Sequence, residues 1–278
     1  MTSASLHIPA ASAADGSGLT RHEVEAGGAT FAAYRLAGGA PSWAPELIWV
    51  HGWGHSHAAL APLAQAMRPR ADSWLVDLPG FGASPLPPGP WGTEDYADAM
   101  ADWLAALPAR RRVWVGHSFG CRVGLQLAAR HPGAVDALFL IAAAGLPPHR
   151  SLAARARRLP RRLAFRIMRA VIPEGLARER LRERHGSADY RAAGAMRPVL
   201  VKAVNEDLSE PARRVGVPVV LVHGDADAES PPEVATRFHT LIPGSRLHLL
   251  RGFDHWTILT DGRHQVTHLL GELLEALP

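Results

Sequence analysis

Short runs of apolar, β-branched and aromatic residues, each bounded by Gly, Pro or Asp, recur at 21–26, 30–36, 47–50, 73–76, 112–115, 137–141, 217–222 and 246–250. Runs of this length and composition predict eight strands. Between the later ones the apolar positions recur at three- and four-residue steps, predicting helices over 57–67, 93–107, 119–130, 232–241 and 262–277. Strand–helix alternation of this kind builds an α/β fold, a mostly parallel eight-stranded sheet with helices on both faces and ligands at the carboxyl ends of the strands. The alternation fails between 142 and 211, where no strand-like run occurs. There Leu152, Ala156, Leu159, Leu163, Ile167 and Val171 form an apolar stripe flanked by Arg155, Arg158, Arg162, Arg166 and Arg169, with Pro160 expected to kink it. The pattern divides the chain into a flexible 1–20, a core of 21–145 and 206–278, and an inserted helical lid over 146–205.

Composition narrows the function classes. With 47% hydrophobic and 20% charged residues in 278 the chain has an ordinary globular balance, which sets aside disordered and collagen-like readings. Cys121 stands alone, so neither an intramolecular disulfide nor a thiolate zinc site is expected, and a reducing compartment fits. The first twenty residues lack the basic start and apolar stretch of an export signal, and no apolar run is long enough for a membrane span, so a cytoplasmic protein is expected. The net charge of +4 is unevenly spread: thirteen arginines face four acidic residues between 150 and 191, leaving the remainder of the chain negative. Such local basicity argues for a surface feature rather than a nucleic-acid partner.

The candidate chemistry begins at Gly116-His117-Ser118-Phe119-Gly120, which lies directly after a predicted strand and before a small-residue helix. A sharp strand-to-helix turn projects the central hydroxyl above the sheet, and the helix start offers free N–H groups to an oxyanion. A serine nucleophile needs a base and the base an orienting acid, in the chain order serine, acid, histidine. After the last two predicted strands come His223-Gly224-Asp225-Ala226-Asp227 and Arg251-Gly252-Phe253-Asp254-His255-Trp256, which offer Asp225 or Asp227 as acid and His255 as base. Both aspartates have an alternative reading as loop or helix caps. His248, His264 and His268 read as surface positions. His51, His55 and His57 have no interleaved acid, so no metal site is expected. Gly80 and Gly82 read as a turn, Cys121 as a packed thiol, and Trp53, Trp91 and Trp256 as pocket or core aromatics.

These motifs resemble the α/β-hydrolase family, in its esterase branch with a helical lid, over all but the first twenty residues. His51-Gly52-Trp53-Gly54 resembles that family's oxyanion loop and Asp77-Leu78-Pro79-Gly80-Phe81-Gly82-Ala83-Ser84 its loop after the next strand; both resemble those of pimeloyl-carrier-protein methyl ester esterases. The family's Gly-x-x-Asp spacing selects Asp227, although Glu229-Ser230-Pro231-Pro232 replaces the usual valine–proline pair, and His255-Trp256 matches a common His-aromatic ending. The resemblance implies a serine hydrolase for a carboxylic ester or thioester. Ser118 would be the nucleophile, His255 the base, Asp227 the acid, and the backbone N–H groups of Trp53 and Phe119 the oxyanion hole, with no metal or organic cofactor. Carbon–carbon bond hydrolysis and cofactor-free perhydrolysis use the same triad and stay open, as does a non-catalytic binding or scaffold role; a dehalogenase or epoxide hydrolase would carry aspartate at 118. The arginine cluster reads either as a solvated face or as a dock for an acidic acyl carrier protein or anionic acyl substrate. The oligomeric state is left open.

Overall fold

In the computed structural model, residues 18–39, 41, 43–147 and 188–277 are described. The strands are β1 (Leu19–Ala26), β2 (Ala29–Leu36), β3 (Glu46–Val50), β4 (Ser73–Asp77), β5 (Arg112–His117), β6 (Ala137–Ile141), β7 (Val219–Gly224) and β8 (Arg246–Leu250). The described helices are α1 (Ala61–Met67), α2 (Thr93–Ala106), α3 (Phe119–Arg130), α4 (Ala188–Ala192), α5 (Arg197–Asn205), α6 (Ser209–Arg213), α7 (Pro232–Leu241), α8 (Thr257–Thr260) and α9 (Arg263–Ala276). One sheet runs in the order β1-β2-β4-β3-β5-β6-β7-β8. Only β2 opposes its neighbours; from β4 to β8 every pairing is parallel.

The central strands β3 to β7 are buried at every position, which is why they read as unbroken apolar runs rather than as alternation. Alternate residues divide between two cores. Ile48, Val50, Trp114, Leu138 and Leu140 pack beneath α2, α3 and α7, while Leu47, Trp49, Val115, Phe139 and Ile141 pack beneath α1 and α9. Each large side chain buried in this way contributes about 2 kcal/mol. The covered faces leave the carboxyl ends of β3, β5, β7 and β8 as the place where the loops can differ.

Of the boundaries that depart from the expected ones, three have a local cause. β1 starts at Leu19, whose buried side chain and pairing with Leu36 bring it into the sheet. The helix expected over 57–67 opens with a separate 3-10 turn, His57–Ala59, and α1 begins only at Ala61, with Pro62 in its first turn. β7 begins at Val219 rather than 217 because Pro218 has no N–H to give the ladder; its carbonyl accepts from Leu138 N–H at 2.9 Å. Between 142 and 211 the described residues contain helices and turns, while the arginine-flanked stripe over 152–171 lies outside them.

Candidate active site

Ser118 links β5 to α3 with φ 48° and ψ −101°, a left-handed conformation that non-glycine residues adopt only under strain. Its N–H donates to the Ile141 carbonyl at 3.0 Å, which ties the elbow to β6. The flanking glycines are steric necessities. A Cβ on Gly116 would stand 2.7 Å from the Gly120 backbone, and one on Gly120 would stand 2.1 Å from the Val50 carbonyl oxygen. Phe119 is the first residue of α3 and Trp53 lies in the loop after β3; among the described residues no protein acceptor engages either N–H. Cys121 is buried with its Sγ 3.1 Å and 3.2 Å from the Gly116 and Ile141 carbonyls, and burial raises its pKa, as expected of a packed thiol.

His255 and Asp227 meet across the ends of β8 and β7. His255 Nδ1 lies 2.7 Å from Asp227 Oδ2, so it donates to the carboxylate and leaves Nε2 as the acceptor. Asp227 Oδ1 accepts the N–H groups of Glu229 at 2.9 Å and Ser230 at 2.8 Å. Burial pushes the Asp227 carboxyl up, but the His255 and Ser230 hydrogen bonds and the fields of His255 and His223 outweigh it and hold the pKa below the ordinary value. Asp225 is turned elsewhere: it is exposed, and its Oδ1 accepts Gly252 N–H at 2.7 Å. Gly224 permits this geometry, since a Cβ there would meet the Phe253 carbonyl oxygen at 2.1 Å.

Three further buried histidines hold the loops around this pair. His117 Nε2 donates to the His255 carbonyl at 3.0 Å, and desolvation pushes its pKa down to about 3. His51 accepts Leu78 N–H on Nε2 at 3.2 Å and donates from Nδ1 to the Gly52 carbonyl at 2.7 Å, joining the loops after β3 and β4; burial brings its pKa to about 4. His223 Nε2 donates to the Ser230 carbonyl at 2.6 Å and lies 3.5 Å from Asp227 Oδ2. Asp77, fully buried, clasps the same region: Oδ1 accepts His57 N–H at 2.6 Å and faces His57 Nδ1 at 2.9 Å, while Oδ2 accepts Ala83 N–H at 2.9 Å. None of these four roles was read from the sequence, although His117 occupies the variable position of the Ser118 motif.

Ser118 and His255 line one cavity of about 330 Å³ together with Trp53, Phe119, Arg122 and Glu229. Leu200, Ala203 and Val204 of α5 supply its upper wall. Trp256 packs on His255 and His55, and Trp91 on Tyr96, so of the three tryptophans singled out only Trp53 faces the cavity. His248 is partly buried on edge strand β8, and His264 and His268 are exposed. Glu229 belongs to the Glu229-Ser230-Pro231-Pro232 stretch that replaces the family's usual valine–proline pair. Its Oε2 lies 3.9 Å from His255 Nε2, and its Oε1 accepts Trp256 Nε1–H at 2.7 Å. Among the described residues no cluster of histidine, cysteine and carboxylates is arranged to hold a metal ion, and no helix is long and apolar enough to cross a membrane.

The chain has counterparts among known proteins. The sequence model of the alpha/beta hydrolase fold matches residues 45–166. An uncharacterized protein of Mycobacterium tuberculosis is 26% identical over 266 residues, covering 82% of this chain and 74% of its own length. The pimeloyl-[acyl-carrier protein] methyl ester esterase of Chromobacterium violaceum is 43% identical over 101 residues, 35% of this chain and 37% of the esterase. A thermophilic esterase from Thermogutta terrifontis superposes with a TM-score of 0.66 at 21% identity, covering 92% of this chain and 98% of that one. The chain is an enzyme with the α/β-hydrolase fold, whose sheet order and strand-end loops it shares.

Proposed function

We propose that this hydrolase cleaves a carboxylic ester or thioester through an acyl-enzyme on Ser118. The observation that carries the reading is the convergence, on one cavity, of a strained elbow serine and a histidine whose other nitrogen is held by a buried carboxylate. His255 Nε2 takes the Ser118 proton as Oγ attacks the acyl carbon, and Asp227 holds the imidazole in the required tautomer and stabilises its cation. The N–H groups of Trp53 and Phe119 receive the oxyanion. The proton passes to the leaving alcohol or thiol; water, activated by the same nitrogen, then releases the acid.

Residues 146–205 serve in this reading as a lid, to which α5 contributes. The core match to a pimeloyl-[acyl-carrier protein] methyl ester esterase supports an acyl ester, free or carried on an acidic carrier protein that meets the arginine-rich segment. A cytoplasmic setting fits the single, buried thiol. The test is labelling by a fluorophosphonate together with turnover of p-nitrophenyl esters of graded acyl length. Ser118 should be the labelled residue, and Ser118→Ala should retain less than about 1% of wild-type turnover. Absence of both labelling and turnover would leave a non-catalytic binding protein instead.

A further inference from the structure

Arg122 lies in the first turn of α3, four residues after the elbow serine. It lines the cavity that holds Ser118 and His255. A guanidinium has five N–H donors. Among the described residues this one makes a single hydrogen bond, from Nη1 to the Ala203 carbonyl at 2.7 Å, near the end of α5. No described carboxylate pairs with it. Glu206, the acid whose field reaches it, is turned to Thr93, accepting the Thr93 N–H at 2.8 Å and the Thr93 hydroxyl. Desolvation lowers the Arg122 pKa, yet arginine keeps its proton in proteins, so the cavity wall carries a positive charge without a counter-ion among the described residues.

The second charge on the wall gives the site a direction. Glu229 stands 3.9 Å from His255 Nε2, the nitrogen that returns a proton to the leaving group. An anionic leaving group would meet this carboxylate and be repelled. An anion carried by the acyl part would instead find Arg122, in a cavity otherwise lined in part by the apolar Phe119, Ala144 and Leu200.

Resting on the ester-hydrolase reading above, we propose that Arg122 is a carboxylate-recognition residue and that the preferred substrate is a half-ester of a short dicarboxylic acid with an uncharged alcohol. Hydrolysis of such an ester breaks the acyl C–O bond and forms a new one to the water oxygen. The alcohol leaves with one proton, the other passes to solvent, and a dicarboxylate is the product. A shared cavity of about 330 Å³ accommodates short acyl chains, between succinate and adipate.

The test compares monomethyl with dimethyl succinate, glutarate and adipate, pairs that differ in charge and by one methyl group. For the wild type, kcat/KM should favour the monoester about tenfold or more at the best length. Arg122→Gln should reduce that preference about 10- to 100-fold, the worth of hydrogen bonds to a charged group, while Arg122→Lys should retain part of it. Calorimetric binding of monomethyl adipate to Ser118→Ala should weaken by a similar factor when Arg122→Gln is added. A wild type that favours the diester at every length, or an Arg122→Gln variant that slows both esters equally, would overturn the proposal and reduce Arg122 to a clasp on α5. Turnover without charge preference would sink the subsite and keep the esterase reading; Arg122-dependent binding without any turnover would do the reverse.

Discussion

Replacing Asp227 by asparagine tests the acid through its tautomer control. Asp227 Oδ1 already accepts two backbone N–H groups, from Glu229 at 2.9 Å and Ser230 at 2.8 Å. An amide at this position must place its oxygen there, since turning the NH₂ toward two donors would leave all of them unpaired. The NH₂ then occupies the Oδ2 position, 2.7 Å from His255 Nδ1 in the native enzyme. Facing a donor, Nδ1 must become the acceptor, and the ring proton moves to Nε2, the atom that should receive the Ser118 proton. The expected loss is about 10⁴-fold in kcat, equivalent to about 5.5 kcal/mol of transition-state stabilisation. Asp225→Asn should cost far less, because Asp225 touches only the Gly252 N–H at its exposed edge. Steady-state hydrolysis by the two variants, with nitrogen NMR of the labelled His255 ring to follow the tautomer, measures both links. A larger loss for Asp225→Asn, or an Asp227→Asn enzyme with its ring proton still on Nδ1, would refute the reasoning. The depressed carboxyl also contributes stability above the ordinary aspartate pKa that is lost as pH falls through the native one, so the variant should show a shallower acid-side decline.

Other perturbations follow from the same contacts. Gly120→Ala drives a methyl to within 2.1 Å of the Val50 carbonyl oxygen, so it should destabilise by about 3 kcal/mol or more in urea unfolding; a change under about 1 kcal/mol would show that the elbow can yield. His51 and His117 are kept neutral at native values near 4 and 3, below the unfolded value of 6.5, so the unfolded chain binds their protons first. Their contribution is complete above pH 6.5 and declines below it by about 1.4 kcal/mol per unit each, or about 2 kcal/mol each by pH 5; equal stability at pH 7 and pH 5 would contradict it. Arg110 bridges Glu46 at 3.4 Å and Asp72 at 2.9 Å at the amino ends of β3 and β5, far from the cavity. Arg110→Met should therefore lower stability by about 3 kcal/mol while kcat/KM of the folded enzyme stays within about twofold, and a large kinetic effect would count against that separation.

What could be read from the chain and what could not divides along physical lines. Strands β3 to β7 were legible because burial on both faces demands uninterrupted apolar residues, and the elbow because backbone crowding at Gly116 and Gly120 leaves glycine alone. The choice between Asp225 and Asp227 was not legible from local pattern, since both suit a loop; it turns on which carboxylate the β8 loop meets, a contact between residues 28 apart. Arg122 was legible in principle, four residues after Ser118 on a helix whose start the motif marks. A lone charge in one helix turn carries no pattern of its own, whereas the thirteen arginines between 150 and 191 form a dense one. Glu229 was visible only as a departure from the expected valine–proline pair. Its meaning needed the side chain's approach to His255.

Four histidines crowd the carboxyl ends of β3, β5, β7 and β8, and their environments divide the work among them. His51, His117 and His223 are buried, desolvation is the leading cause of each lowered pKa, and each is committed to backbone groups: Leu78 and Gly52, the His255 carbonyl, and the Ser230 carbonyl. Kept neutral, they act as fixed donors and acceptors that tie one loop to the next. His255 differs in two respects. Its Nδ1 faces a carboxylate rather than a carbonyl, and its ring lines the cavity rather than being enclosed by backbone. In the proposed reaction the same residue type thus supplies three loop clasps and one proton carrier, and the carrier is held in place partly by a clasp, since His117 grips its carbonyl at 3.0 Å. A ring placed by contacts to two different strand ends has little freedom to turn within the cavity it shares with Ser118, which is what the proposed proton transfer would require.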